Sequence, residues 1–209
     1  MPDTEHEDPD TGELAAIIKE ALAKSRGYAP YWEWAADPKV AEVGTANQLA
    51  EYLIHLDGRE WASIRPVTDD PPDALLISSS GHRVGVEVTE IVDAATVARH
   101  RYRKKHGAAE PYDFAEWSVD KLTAVVVQAV ERKDQKLAAR SGDYDELIVA
   151  LITDEFMITH DLAQQALSKS AAQVATIDRA FLMLSYNPQA DREAFPQGIV
   201  FLPVPLIRP

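Results

Sequence analysis

PPDALLISSSGHRVGVEVTE, residues 71–90, decides how the rest of this chain is read. Two apolar runs, ALLISSS and HRVGVEV, flank Ser80-Gly81, the dipeptide of a tight hairpin turn. Side chains alternate faces along a strand, so Val84, Val86 and Val88 share one face and Arg83, Gly85, Glu87 and Thr89 the other. The valines make an ordinary core face. Glu87 is then an acid in the middle of an apolar strand, which is costly unless it is paired or holds a cation. Asp73 opens the neighbouring strand, close to where Glu87 comes to lie. Two adjacent carboxylates repel, and a hard divalent cation such as Mg²⁺ relieves that repulsion. An alternative stands beside this one: Glu87 pairs with Arg83 on its own face, and Asp73 caps the turn after Pro72.

Working outward, the order of elements is helix, hairpin, helix, strand, helix, strand, strand. The spacing of Leu49, Tyr52, Leu53 and Leu56 predicts a helix over 47–56, stopped by Asp57-Gly58. DDPPD (69–73) punctuates the chain ahead of the hairpin, and a mixed segment spans 91–115. A long helix is predicted over 116–139, with strands at 146–152, 180–186 and 198–204 and a helix near 161–170. This order predicts an α/β domain with a mixed sheet flanked by helices on both faces. In the long helix, Val119, Leu122, Val125, Val126, Ala129, Val130 and Leu137 form one apolar stripe. Lys133 sits in the middle of that stripe and Lys136 at its edge. Apolar residues continue on both sides of Lys133, so it is expected to meet an acid inside, with Glu87 and Asp73 as the available partners.

Pro72-Asp73 at the start of one hairpin strand and Glu87-Val88-Thr89 on the next resemble the PD-(D/E)-x-K nuclease superfamily, the restriction-endonuclease-like fold. The resemblance covers roughly residues 47–153. It implies a Mg²⁺- or Mn²⁺-dependent hydrolase of DNA or RNA phosphodiesters, with Asp73, Glu87 and the Val88 carbonyl as metal ligands. Thr89 stands where the family carries its lysine. In some branches that lysine comes from the following helix, a role that fits Lys133, with Lys136 as its understudy. The family often adds a glutamate from an N-terminal helix; Glu51 is the candidate, although it falls opposite the apolar stripe of its own helix. The rival reading is a nuclease-like scaffold without catalysis that serves as a binding or regulatory module.

Composition bounds these readings. The chain has 209 residues, 46% of them hydrophobic, enough to fold around a core. It has no cysteine, which excludes a thiol nucleophile, a disulfide scaffold and thiolate zinc sites. MPDTEHEDPDTGE carries six acids and no Lys or Arg, so residues 1–12 read as a disordered acidic leader ahead of a single domain at 13–209. A first helix is expected at 13–26. With neither a basic start nor an apolar stretch there, the expected compartment is the cytoplasm, and no membrane contact is expected. The net charge of −13 opposes general coating of nucleic acid. One cluster reverses it: Arg99, Arg101, Arg103, Lys104 and Lys105, with Tyr102 among them. It reads either as a solvated face or as a contact to nucleic-acid phosphates. The apolar, proline-broken FLPVPLIRP is expected to pack across a sheet edge or a second subunit, which makes a homodimer one option. HExxH, G-x-S-x-G, P-loop and dinucleotide-binding motifs are absent.

Overall fold

A computed structural model of the chain describes residues 28, 38–69, 71–106, 114–185 and 198–208. The expected leader at 1–12 and the expected helix at 13–26 lie outside the described residues, as does most of the aromatic stretch that begins at Tyr28. In chain order the elements are α1 (Pro38–Asp57), β1 (Trp61–Pro66), β2 (Ala74–Ser78), β3 (Arg83–Glu90), α2 (Ala94–His106) and α3 (Val119–Leu137). A 3-10 turn at Ala138–Arg140 follows, then β4 (Glu146–Thr153), α4 (His160–Lys169), β5 (Ala172–Gln173), β6 (Arg179–Leu184), β7 (Val200–Pro203) and β8 (Leu206–Ile207).

Six strands form one mixed sheet in the order β1-β2-β3-β4-β6-β7. The pairs β1–β2, β2–β3 and β6–β7 are antiparallel, whereas β3–β4 and β4–β6 are parallel. Parallel neighbours need a crossover, and the helical segments between β3 and β4 and between β4 and β6 supply it. β5 and β8 form a separate two-stranded parallel ribbon. Every residue of β4 (ELIVALIT) is buried, as a central strand covered on both faces requires. On one face Leu49 and Leu53 of α1 pack with Leu76, Val84, Val86, Val88, Ile148 and Phe181. On the other, Leu122, Val126, Val130 and Leu137 of α3 pack with Leu147, Val149, Leu151 and Leu182, and α4 adds Ala163, Ala166 and Leu167.

The hairpin lies where the alternation puts it, with Ala74 opposite Val86 and Leu76 opposite Val84. Gly81 closes the turn at φ 85°, a conformation that costs glycine nothing. The short strands β5 and β8 are not expected from the sequence, and three longer elements also depart from its reading. α1 begins at Pro38 rather than near Asn47, because the small residues Ala41, Thr45 and Ala46 extend its buried face upstream where no large apolar residue marks it. β1 is an edge strand with an irregular burial pattern, so WASIRP lacks the clean alternation that would announce it. α2 occupies most of the segment 91–115 as a helix whose described inward contacts are few, Thr96 and Val97 being its buried residues. Among the described residues, no helix is long and apolar enough to cross a membrane.

Candidate functional site

The hairpin register sets the site. Ala74 faces Val86, so Asp73, one residue earlier, comes opposite Glu87 on the sheet face that carries α3. Gly85 makes the approach feasible. A Cβ there would come within 2.8 Å of Leu147 Cδ2 and 3.0 Å of Pro72 Cγ, so no larger residue lets Pro72 close down and seat Asp73. The Val88 amide donates to Asp73 Oδ2 at 2.8 Å. The N–H and C=O of one strand residue point to the same edge, so the Val88 carbonyl also opens on the Asp73 side.

α3 brings the cations. Its first turn is capped by Ser118, whose side chain accepts from the Lys121 amide at 3.2 Å. Near its other end Asp134, itself buried, accepts from the amides of Ala175 (3.0 Å), Thr176 (2.8 Å) and Ile177 (2.8 Å). That clamp fixes the rotation of the helix about its axis and therefore the direction of Lys133. Lys133 Nζ donates to Glu87 Oε1 at 2.6 Å, and Lys136 Nζ reaches the same oxygen at 3.0 Å. Glu87 is fully buried, while the Lys133 side chain retains 14% exposure and Lys136 39%. Arg83, the other partner considered for Glu87, is exposed and lies with its guanidinium 5.5 Å from the Tyr144 ring centre.

Two features set this cluster apart from a finished ion pair. Glu87 Oε2 is buried and accepts no hydrogen bond. Asp73 is pushed up to about 6, first by burial and then by the Glu87 carboxylate; the Val88 amide opposes this, Glu42 adds to it and Lys133 opposes it. Both ammonium groups thus crowd one oxygen of Glu87, while its other oxygen and the neighbouring Asp73 carboxylate are left less well compensated.

Sequence reasoning missed Glu42. It lies on the inward stripe of α1, seven residues before Leu49, but upstream of where the helix was expected to begin. Lys39 Nζ stands 3.4 Å from Glu42 Oε2, outside hydrogen-bond geometry, and that oxygen is buried without a hydrogen bond. Glu51 is on the exposed face of α1, whereas Glu42 is the acid of this helix whose charge reaches Asp73. Among the described residues, no three Asp, Glu, His or Cys side chains gather closely enough to hold a metal. A cation would therefore rest on two carboxylates, a backbone carbonyl and water, a donor set that suits Mg²⁺ because it keeps several waters. The orphaned Glu87 oxygen and the raised Asp73 both fit such an occupant.

No family model matches this sequence, and no curated protein matches it. Among solved structures, the chain is similar to one described as the structure of Pyrococcus furiosus SfsA in complex with Ca²⁺, at 14% identity and a TM-score of 0.33. The match covers 79% of this chain and 64% of that one. At that distance the likeness assigns nothing to this chain, and its site is read from its own residues.

Of the basic cluster, Arg99, Arg101 and Lys105 are exposed on α2, and Arg103 is half-buried. The Lys104 side chain lies outside what is described. Arg99 donates to Thr96 Oγ1 at 2.7 Å.

Proposed function

We propose that this protein is a divalent-metal-dependent nuclease on a restriction-endonuclease-like fold, hydrolysing phosphodiester bonds of DNA or RNA. The observation that carries the reading is Glu87: fully buried, with two ammonium groups on one oxygen and no partner on the other, beside an Asp73 whose proton affinity is raised. Asp73, Glu87 and the Val88 carbonyl would hold Mg²⁺ or Mn²⁺. A cation held there would supply Lewis acidity, lowering the pKa of the attacking water and offsetting charge on the phosphate. Lys133, 14% exposed and tied to Glu87, would donate a hydrogen bond to that water and so orient it. Lys136, more exposed at the mouth of the cluster, meets phosphate charge as it develops. Glu42 adds negative potential from the α1 side and is the helix acid suited to a water-mediated role. The cations of α2, Arg99, Arg101, Arg103, Lys104 and Lys105, contact the nucleic-acid backbone.

One observation favours the rival, a non-catalytic binding scaffold: the two lysines already compensate Glu87 without a metal. An assay of wild-type protein and Asp73→Asn on single- and double-stranded DNA and RNA in millimolar Mn²⁺ separates the two. Cleavage by wild type that Asp73→Asn abolishes supports hydrolysis. Absence of cleavage on all four substrates, with binding retained, leaves the scaffold.

A further inference from the structure

The outward face of α2 carries more than charge. Its sequence, AATVARHRYRKKH, contains no acid, in a chain whose net charge is −13. Taking about 100° per residue, Tyr102 lies at the centre of the exposed face, flanked by Arg101 and Lys105 on one side and by Arg99 and His106 on the other. Tyr102 is 65% exposed, and its ring centre lies 4.3 Å from that of His106, tilted by 37°. A tyrosine this open, in ring contact only with a neighbouring histidine among the described residues, buries little for its size. A purely solvated cationic helix gains nothing from it.

The inward side of the same helix is anchored at a few defined points. Val97 packs with Tyr28 and Ala115, and His100 stacks on Tyr28 at 5.1 Å. At the start of the helix Asp93 Oδ1 accepts from the Thr96 amide at 2.6 Å. Asp93 is also gripped by Lys121 (2.7 Å), and its own amide donates to Glu155 Oε1 at 2.8 Å. The platform therefore does not rotate freely. It follows β3, the strand of Glu87, after a three-residue connection.

We infer that the outward face of α2 is a stacking platform for single-stranded nucleic acid, with an unpaired base on the Tyr102–His106 pair and flanking phosphates on Arg101, Lys105 and Arg99. This deepens the nuclease reading by naming its substrate class. An open aromatic face bordered by cations takes an unstacked base, whereas a paired base in a duplex keeps its π-face covered by its neighbours. Cations alone would serve a duplex as well as a single strand.

The test uses the full chain in EDTA, so that binding is read without cleavage, with fluorescent oligo-dT and oligo-U of about 12 nucleotides and a duplex of the same length. Anisotropy titrations across a range of KCl are expected to show tighter binding of the single strands. Tyr102→Ala weakens single-strand binding about tenfold and leaves the salt slope unchanged, while Tyr102→Phe stays close to wild type. Arg101→Ala with Lys105→Ala lowers the slope by roughly 0.7 per cation removed. Equal or tighter duplex binding overturns the inference, as does a Tyr102→Ala protein with unchanged affinity. Tighter binding to phosphatidylserine vesicles than to either oligonucleotide also overturns it. Tyr102-dependent single-strand binding without cleavage in Mn²⁺ keeps the platform and removes hydrolysis. Cleavage that is indifferent to Tyr102→Ala does the reverse.

Discussion

Glu87 and Glu146 are buried glutamates on adjacent parallel strands, and they are treated in opposite ways. In the β3–β4 register Val84 faces Glu146 and Glu87 faces Val149, so the two acids sit only a few residues apart along the sheet. Glu146 uses both of its oxygens. Arg179 Nε donates to Oε1 at 2.6 Å, and Arg59 donates to Oε2, with His82 Nε2 at 3.4 Å from that same oxygen. Asp57 in turn takes the second arm of Arg179 at 2.6 Å. The result is a network that occupies both Glu146 oxygens and ties the end of α1 to the starts of β4 and β6. Arg179 Nη2 is buried in it without a hydrogen bond. Glu87 instead has two lysines crowded on Oε1, nothing on Oε2, and an acidic neighbour. A satisfied acid is explained by the fold that holds it. An acid left half-satisfied in the core has room on its free oxygen for a further partner, a cation or a water.

Breaking the comparison from the Glu87 side should have the largest consequence. Lys133→Met keeps the stem and removes the charge; nuclease activity in Mn²⁺ is expected to fall about 10²–10³-fold, measured against wild type on the preferred substrate. If the lysine only neutralises Glu87 in an inactive scaffold, wild type cleaves nothing and the variant loses stability alone.

The Glu146 side should answer only in stability. Glu146→Ala is expected to cost roughly 2–3 kcal/mol in urea unfolding, less than for a fully buried pair because Arg59 and Arg179 stay partly exposed and keep Asp57. Any activity that remains per folded molecule should be unchanged.

Asp73 sharpens the contrast through pH. Its folded value of about 6 lies above the ordinary 3.8, so between those values the native state binds more protons than the unfolded one. The contribution of Asp73 to stability is therefore fully present below about pH 4 and lost as pH rises through 6. Asp73→Asn removes an ionised, penalised carboxylate and should stabilise the metal-free protein by roughly 1–2 kcal/mol at pH 8. The gain should vanish near pH 4. A variant less stable than wild type at pH 8 would mean that Asp73 is as well satisfied as Glu146.

The smallest effect is that of the cation itself. Mn²⁺ at ten times its dissociation constant should add about 1.4 kcal/mol to wild-type stability, seen as a raised melting temperature. Asp73→Asn should abolish that shift, and Glu146→Ala should keep it.

Much of this was legible from local pattern. Period-two alternation in RVGVEVTE put the valines on one face and Glu87 on the other, and the apolar stripe of α3 aimed Lys133 inward. Both are properties of a single element, and a strand or helix displays its own period whatever it packs against. α1 was read short because small residues bury a face without marking it, and Glu42 was lost with that first stretch. β1 escaped because a register shift between Trp61 and Ser63 breaks the alternation that one covered face would otherwise display.

Sequence alone determined that two carboxylates open and occupy neighbouring strands of one hairpin, that a lysine lies within an apolar stripe, and that a cationic run interrupts an acidic chain. Tertiary structure alone decided that both lysines land on one oxygen of Glu87, that Arg83 does not, and that Asp134 holds α3 in that rotation. It also decided which buried glutamate is satisfied. The reason is physical: spacing along the chain fixes the face on which a side chain emerges, but a hydrogen bond is won or lost over tenths of an ångström between elements far apart in sequence.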